Sequence, residues 1–98
     1  MKNFKTYQLA KELYALCKLQ PVKGELRDQL HRASLSIALN LAEGSAKPSL
    51  KERRRFYTIA LGSLRETQTI IELENLPIGE LADKVAAHLY KLIKGIGD

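Results

Sequence analysis

The chain has 98 residues, of which 45% are hydrophobic and 28% charged, and it carries a formal net charge of +5 at pH 7. This length suits one hydrophobic core, so we expect a single domain over residues 1–98, and 6 Gly with 3 Pro are too few for a disordered chain. No stretch approaches the roughly 20 apolar residues of a membrane-spanning helix, and the only cysteine, Cys17, excludes an intramolecular disulfide, so we expect a cytoplasmic protein.

The first predicted helix covers about residues 4–19. Its apolar side chains recur three and four positions apart, which is the spacing of one helical face, and they are Phe4, Tyr7, Ala10, Leu13, Tyr14 and Cys17. Leu9 and Leu16 widen this face, so the sequence predicts contact with two neighbouring helices or with a second subunit. Pro21 and Gly24 mark the turn that ends the helix.

The second predicted helix covers residues 25–43 and has a core stripe at helical spacing. The stripe consists of Leu26, Leu30, Ala33, Ile37 and Leu41. Gly44 is predicted to end the helix, because glycine adopts the left-handed conformation of a helix C-terminus without steric cost.

A polar stripe borders the core stripe of this helix, and it consists of Arg32, Ser36, Asn40 and Glu43. Apolar residues lie on both sides of Asn40, so its amide is expected to be partly buried and hydrogen-bonded. One hypothesis is a structural interhelical network in which Arg32 faces Glu66 of the third helix. The other hypothesis is a groove for a ligand or for a second chain.

A third helix is predicted by a capping-box pattern and by the spacing of its apolar residues. Ser49 and Glu52 form a capping-box pattern, so a third helix is expected to begin there and to run to Glu74. Its predicted buried residues are Phe56, Ile59, Ala60, Leu64, Ile70 and Ile71, and Gly62 is expected to allow close helix packing.

After Pro77, a fourth helix is predicted by the spacing of Leu81, Val85, Leu89, Leu92 and Ile96. Short loops make successive helices antiparallel, so the predicted fold is all-α, an up-down-up-down antiparallel four-helix bundle.

Positive charge concentrates in the first part of the chain. Residues 1–55 hold 12 Lys/Arg against 5 Asp/Glu, a net charge of +7, whereas residues 56–98 hold 4 against 6, a net charge of −2. Five cations around the start of the third helix form what we call the basic cluster: Lys47, Lys51, Arg53, Arg54 and Arg55. Cations are unfavourable at a helix N-terminus, so we expect an external anion such as phosphate to compensate them. No aromatic residue interleaves the cluster, which argues against a platform that stacks single-stranded bases.

The sequence offers no pattern for catalysis or for metal binding. His31 and His88 lie on different predicted helices, and neither has a second histidine or a carboxylate four residues away. Cys17 has no nucleophile signature around it and is expected to be a packed core residue. We therefore expect no enzyme activity, no metal and no cofactor.

The segment RASLSIALNLAEG at residues 32–44 closely resembles the four helix bundle proteins named for the 23S rRNA intervening sequences that encode some of them. The similarity continues through a basic helix start to Phe56, Ala60, Gly62, Ser63 and Glu66, and it covers about residues 4–75. This resemblance implies an up-down four-helix bundle. Relatives include the accessory variability protein of diversity-generating retroelements, which implies a basic homopentamer that binds nucleic acid and a reverse transcriptase.

Three functions compete at this point. The first is a non-enzymatic homo-oligomer, a pentamer by resemblance, that binds RNA or DNA through the basic cluster as an accessory or structural factor. The second is a protein-interaction scaffold that presents a basic surface to an acidic partner. The third, a divergent enzyme or toxin-like nuclease, is disfavoured because paired carboxylates and a histidine dyad are lacking. Charge asymmetry, the basic cluster and the resemblance favour the first.

Overall fold

The structure is a computed structural model, and it describes residues 4–95. This part of the chain forms four α-helices and contains no strand. They are α1 (Lys5–Lys18), α2 (Gly24–Ser45), α3 (Leu50–Leu73) and α4 (Gly79–Ile93). All four predicted helices are confirmed, with α2 extending past its predicted end.

The helices form a closed antiparallel bundle. Helices α1 and α3 each pack against both α2 and α4, and the bundle measures 39 × 22 × 22 Å. Two contacts fix the antiparallel direction of α2 and α3, because Ser36 meets Ser63 whereas Gly44, later in α2, meets the earlier residue Tyr57. The predicted all-α four-helix bundle is confirmed.

The hydrophobic core lies along the bundle axis and receives side chains from every helix. The largest fully buried apolar residues are Leu13, Leu30, Ile37, Leu41, Leu64, Val85 and Leu89. These positions confirm the central members of the predicted core stripes, whereas Tyr14, Leu26 and Leu81 are only half-buried. The last predicted core residue, Ile96, lies outside residues 4–95.

Two predicted buried residues of α3 are wrong. Phe56 is only half-buried, and Ile59 is exposed. Ile59 has 44% of its surface exposed, while Tyr57 is buried. The inward face of α3 runs through Tyr57, Ala60 and Leu64 at steps of three and four residues, and Ile59 falls outside that arc. Ile59 therefore lies on the outward face of α3 although it is apolar.

The broad apolar face of α1 is used inside the bundle. Leu9 is buried, and Leu16 is half-buried and packs against the core. Since α1 lies between α2 and α4, it needs apolar side chains toward both neighbours. The width of this face therefore gives no argument for a second subunit, contrary to that alternative of the sequence prediction.

Two glycines have roles that differ from the predicted ones. Helix α2 continues through Gly44 to Ser45, and Gly44 lacks the positive φ of a helix-ending glycine. It is buried where α2 and α3 approach each other, so its function is close packing. Gly62 was expected to have that function, but a Cβ atom there would meet no other atom within 4 Å.

The predicted capping box at the start of α3 is confirmed. The Ser49 hydroxyl accepts a hydrogen bond from the Glu52 backbone N–H at 3.2 Å and donates one to the Glu52 carboxylate at 3.1 Å. This pair satisfies a backbone donor that the first turn of a helix leaves free. Among residues 4–95, no helix is both long and apolar enough to span a membrane.

Candidate nucleic-acid interface

The antiparallel topology gathers positive charge at one end of the bundle. We call this the basic end, and it comprises the start of α1, the end of α2, the start of α3 and the end of α4. Residues 4–7, 43–58 and 91–95 together carry eight Lys/Arg and two Asp/Glu, a net charge of +6. The cations are Lys5, Lys91, Lys94 and the five residues of the basic cluster.

The opposite end is acidic. Residues 18–28 and 72–83 carry three Lys/Arg and six Asp/Glu, a net charge of −3. The bundle therefore has a positive end and a negative end, which are separated along its 39 Å axis. Sequence reasoning missed Lys91 and Lys94, although antiparallel pairing of α4 with α3 would have placed the end of α4 beside the basic cluster.

Two arginines of the basic cluster form hydrogen bonds with backbone carbonyls of the bundle. Arg53 Nε donates to the backbone carbonyl of Lys47 at 2.8 Å, across the loop between α2 and α3. Arg54 Nε donates to the backbone carbonyl of Ile93 at 2.8 Å. Carbonyls in the last turn of a helix lack backbone partners and lie at the negative end of the helix dipole, so Arg54 stabilises the end of α4.

Two other cations of the cluster contact an aromatic ring. Lys47 Nζ lies 5.1 Å and Arg55 Cζ lies 5.2 Å from the centroid of the Phe56 ring. Lys47 also forms an ion pair with Glu43 at 3.2 Å. The expectation that no aromatic residue interleaves the cluster was wrong, because Phe56 is only half-buried among these cations.

Lys51 and Arg55 are the cations of the cluster that are most accessible to an external anion. Both side chains are exposed, and neither has an ion pair or a hydrogen bond to any residue from 4 to 95. Phosphate oxygens can accept hydrogen bonds from such groups without first displacing a protein partner. The cluster thus contains two arginines that stabilise the bundle, one lysine that is paired with Glu43, and two cations that are accessible to an anion.

The polar stripe of α2 forms a small hydrogen-bonded seam with α3. The Ser36 and Ser63 hydroxyl oxygens lie 2.7 Å apart. Asn40 is half-buried, and its Nδ2 donates to the Ser36 carbonyl at 2.9 Å and to the Ser36 hydroxyl at 3.1 Å. Spacing within α2 could not reveal Ser63, because the opposing residue depends on how the helices align.

The outer members of the predicted polar network do not join this seam. Arg32 and Glu66 are both exposed, and they form no ion pair with each other or with another residue of the described range. Glu43 pairs with Lys47 instead. The hydrogen-bonded seam thus connects Ser36 and Asn40 of the predicted set with the unpredicted Ser63.

Cys17 is a packed core residue in the structure. The side chain is fully buried, and this burial raises the pKa of the thiol to about 11, against a smaller lowering by a hydrogen bond with Ser34. A thiol with such a pKa is protonated at neutral pH and is a poor nucleophile. His31 and His88 lie on α2 and α4, and residues 4–95 bring no three His, Cys, Asp or Glu side chains together as a metal site.

A groove of about 510 Å³ lies between the end of α3 and the start of α4. Its polar side chains already bond to one another, since Arg65 Nη1 donates to Gln68 Oε1 at 2.8 Å and Gln68 Nε2 donates to Asp83 Oδ1 at 3.1 Å. The groove lies toward the acidic end, away from the basic cluster. It therefore takes no part in the candidate interface.

Comparison with known proteins agrees with the resemblance seen in residues 32–66. No curated protein matches the chain significantly. The family model described as 23S rRNA-intervening sequence protein matches residues 4–97, which includes the fourth helix. Because this match covers nearly the whole chain, the protein belongs to the 23S rRNA-intervening sequence protein family.

Proposed function

We propose that the protein is a non-enzymatic, self-associating bundle that binds nucleic acid through its basic end, as an accessory or structural factor. The observation that carries this proposal is the concentration of eight cations against two acids at one end of the molecule. A surface with this charge attracts a polyanion over long range, and the phosphate backbone of nucleic acid is such a polyanion.

The geometry of the basic end favours contacts with phosphates over contacts with bases. The ring of Phe56 is half-buried and already contacts the cations Lys47 and Arg55, so it does not offer an open surface for stacking. Exposed Lys51 and Arg55 can contact phosphate oxygens of any sequence. We therefore expect binding to RNA and DNA with little sequence preference.

The direct test is the salt dependence of binding by the double variant Lys51→Gln/Arg55→Gln. Each lost phosphate contact reduces the slope of log affinity against log salt by about 0.7 to 0.9, so the variant should bind RNA and DNA more weakly and with a smaller slope. Lys23→Gln/Lys84→Gln removes the same charge from exposed positions outside the basic end and should change little. A cluster variant with the parent's affinity and slope would contradict the proposal.

The proposal has one alternative and four further parts. If the variant keeps its affinity for nucleic acid but loses an acidic protein, the scaffold function is the better one. Self-association, the five subunits implied by the resemblance and a reverse transcriptase or another protein as partner are predictions that separate experiments must test. A cytoplasmic location is also a prediction.

A further inference from the structure

A concave apolar surface lies between α1 and α4, toward the acidic end of the bundle. Its volume is about 560 Å³, and it is lined by Leu16 near the end of α1 and by residues 77–81 at the start of α4. Ile78 is buried there, Leu16 and Leu81 are half-buried, and Pro77 is exposed. Apolar side chains therefore line a depression that solvent reaches.

Leu19 extends this surface beyond the depression itself. It follows Leu16 by three residues, about one helical turn, and 76% of its surface is exposed. Covering such a side chain with a partner is favourable because it removes apolar surface from water. We call this surface the apolar hollow, and its residues are Leu16, Leu19, Pro77, Ile78 and Leu81.

The acidic residues that accompany the apolar hollow are available for intermolecular pairs. Glu80 lines the hollow, Glu12 lies one turn before Leu16 on α1, and Glu74 lies three residues before Pro77. All three side chains are exposed, and none forms an ion pair with any residue from 4 to 95. A partner's lysine or arginine can therefore pair with them without displacing a cation of this chain.

The end of α3 carries negative charge where a helix disfavours it. Glu72 lies in the last turn and Glu74 is the C-cap residue, at the negative end of the helix dipole, and this turn has no basic residue. By contrast, α1 has Lys18 and α4 has Lys91 in the last turn. Neither glutamate is paired with a cation of the described chain, so a cationic partner would stabilise the end of α3.

We propose that the apolar hollow and its carboxylates bind a basic segment of another protein. An aliphatic or aromatic side chain of the segment fills the hollow, and lysine or arginine side chains on either side of it pair with Glu12, Glu74 and Glu80. Charge complementarity selects this occupant, because the net charge of −3 at the acidic end repels a nucleic-acid backbone, an anionic lipid surface and an acidic protein.

This inference goes beyond the proposed function and does not rest on it. Nucleic acid is assigned to the basic end, whereas the apolar hollow lies toward the other end of the 39 Å bundle. The protein thus connects a nucleic acid at one end with a basic protein at the other. Because the two surfaces share no residue, each can be removed without the other.

The probe is a synthetic amphipathic peptide with leucine on one helical face and lysine on the other. A peptide of about 14 residues is about 21 Å long as a helix, which is close to the 22 Å width of the bundle. One control peptide has glutamate in place of lysine, and the other has serine in place of leucine. Fluorescence anisotropy with the full chain, without nucleic acid, should show the leucine–lysine peptide bound at least about tenfold more tightly than either control.

Leu19→Ser tests the apolar part of the surface. It should weaken binding of the leucine–lysine peptide by at least about fivefold, because an exposed apolar anchor is lost. Leu73→Ser is the matched control, since Leu73 is 73% exposed but does not line the hollow, and this variant should bind the peptide like the parent. Both residues are exposed, so the fold should persist, and circular dichroism checks this.

Glu80→Lys tests the charged part. Like-charge repulsion should weaken binding of the leucine–lysine peptide by at least about fivefold. Glu66→Lys is the matched control, because it reverses an exposed charge in the middle of α3, and it should change the affinity by less than about twofold.

Several results would overturn the proposal. They are no binding of the leucine–lysine peptide at about 100 μM, equal binding of the glutamate peptide, and parent affinity in either Leu19→Ser or Glu80→Lys. A change in the sedimentation of Leu19→Ser without peptide would also overturn it, because another copy of this chain would then cover the hollow.

Binding to RNA and DNA provides an independent measurement. Leu19→Ser should bind both like the parent while it loses affinity for the peptide, and Lys51→Gln/Arg55→Gln should show the reverse behaviour. Unchanged nucleic-acid binding by the double variant would count against the proposed function alone. Unchanged peptide binding by Leu19→Ser would count against the apolar hollow alone.

Discussion

Gly44 lies so close to Tyr57 that a Cβ atom at position 44 would be 2.8 Å from Cε1 of the tyrosine ring. The same Cβ would be 3.0 Å from Cβ of Phe56. Contacts this short require the neighbouring atoms to move, and the Tyr57 ring is buried in the core. The side chain of any other residue would therefore push α2 away from α3 at the basic end.

Gly44→Ala should destabilise the protein. Overpacking of a core typically costs about 1 to 3 kcal/mol, which exceeds or offsets the gain of up to about 1 kcal/mol in helix propensity. Gly62→Ala is the matched control, since its Cβ meets nothing and it should raise the free energy of unfolding by about 0.5 to 1 kcal/mol. Urea unfolding of both variants measures the difference, at a concentration where the chain is monomeric. Equal effects of the two substitutions would contradict the assigned roles.

Burial of Cys17 should make stability depend on alkaline pH. The pKa of the thiol is raised from 9.0 to about 11 in the folded protein, so the folded state holds the proton more tightly than the unfolded state does. The resulting stabilisation is complete below pH 9 and is lost as the pH rises through 11, by about 2 to 3 kcal/mol in all.

The measurement compares the parent protein with Cys17→Ala. Lysine and tyrosine residues also titrate at alkaline pH, but they are common to both proteins, so the difference in unfolding free energy isolates the thiol. Cys17→Ala should cost stability at neutral pH because it removes a buried side chain, and the difference should shrink above pH 9. A difference that stays constant from pH 7 to pH 11 would show that the thiol pKa is not raised by folding.

The seam between α2 and α3 should show measurable coupling. In a double-mutant cycle, Ser36→Ala and Ser63→Ala should be coupled by about 0.5 to 1.5 kcal/mol, because their hydroxyl oxygens lie 2.7 Å apart. The matched cycle of Arg32→Ala with Glu66→Ala should give coupling near zero in the monomer, since these residues form no ion pair. Coupling in the second cycle but not in the first would restore the network expected from spacing alone.

Apolar periodicity and capping patterns in the sequence predicted the four helices and most of their buried positions correctly. Leu30, Ile37 and Leu41 are buried as their spacing indicates, and Ser49 caps α3 as the S-x-x-E pattern requires. These features depend on residues within one helix, where distances follow from helical geometry. The local part of the fold was therefore accessible from sequence.

Features that depend on two helices were not accessible in this way. Gly44 was expected to end α2 and Gly62 to pack closely, and the structure shows the close approach at Gly44. Glycine is compatible with both roles, and only the distance between helices decides between them. The basic end was likewise incomplete in the prediction, because Lys91 and Lys94 join it only through the antiparallel pairing of α4 with α3.

Arg54 and Arg55 are adjacent in the basic cluster but have different surroundings, so substituting each in turn separates a role in stability from a role in binding. Arg54→Gln removes the guanidinium that donates to the Ile93 carbonyl, whereas Arg55→Gln removes an exposed cation that has no hydrogen-bond partner among residues 4–95. Both variants lose one positive charge and keep good helix propensity. Because Arg55 contacts the Phe56 ring and not α4, a difference in the protection of the end of α4 reports the bond between Arg54 and Ile93.

Arg54→Gln should lower the melting temperature by a few degrees and increase amide hydrogen exchange in the last turn of α4, because the carbonyls there lose a charged donor. Arg55→Gln should leave both properties of the monomer unchanged. On the proposed function, Arg55→Gln should weaken binding to RNA and DNA and reduce the salt slope by about 0.7 to 0.9. If Arg54→Gln leaves the end of α4 as protected as in the parent, its bond to Ile93 contributes nothing to the fold. Arg54 then belongs with Lys51 and Arg55 among the cations available to phosphate.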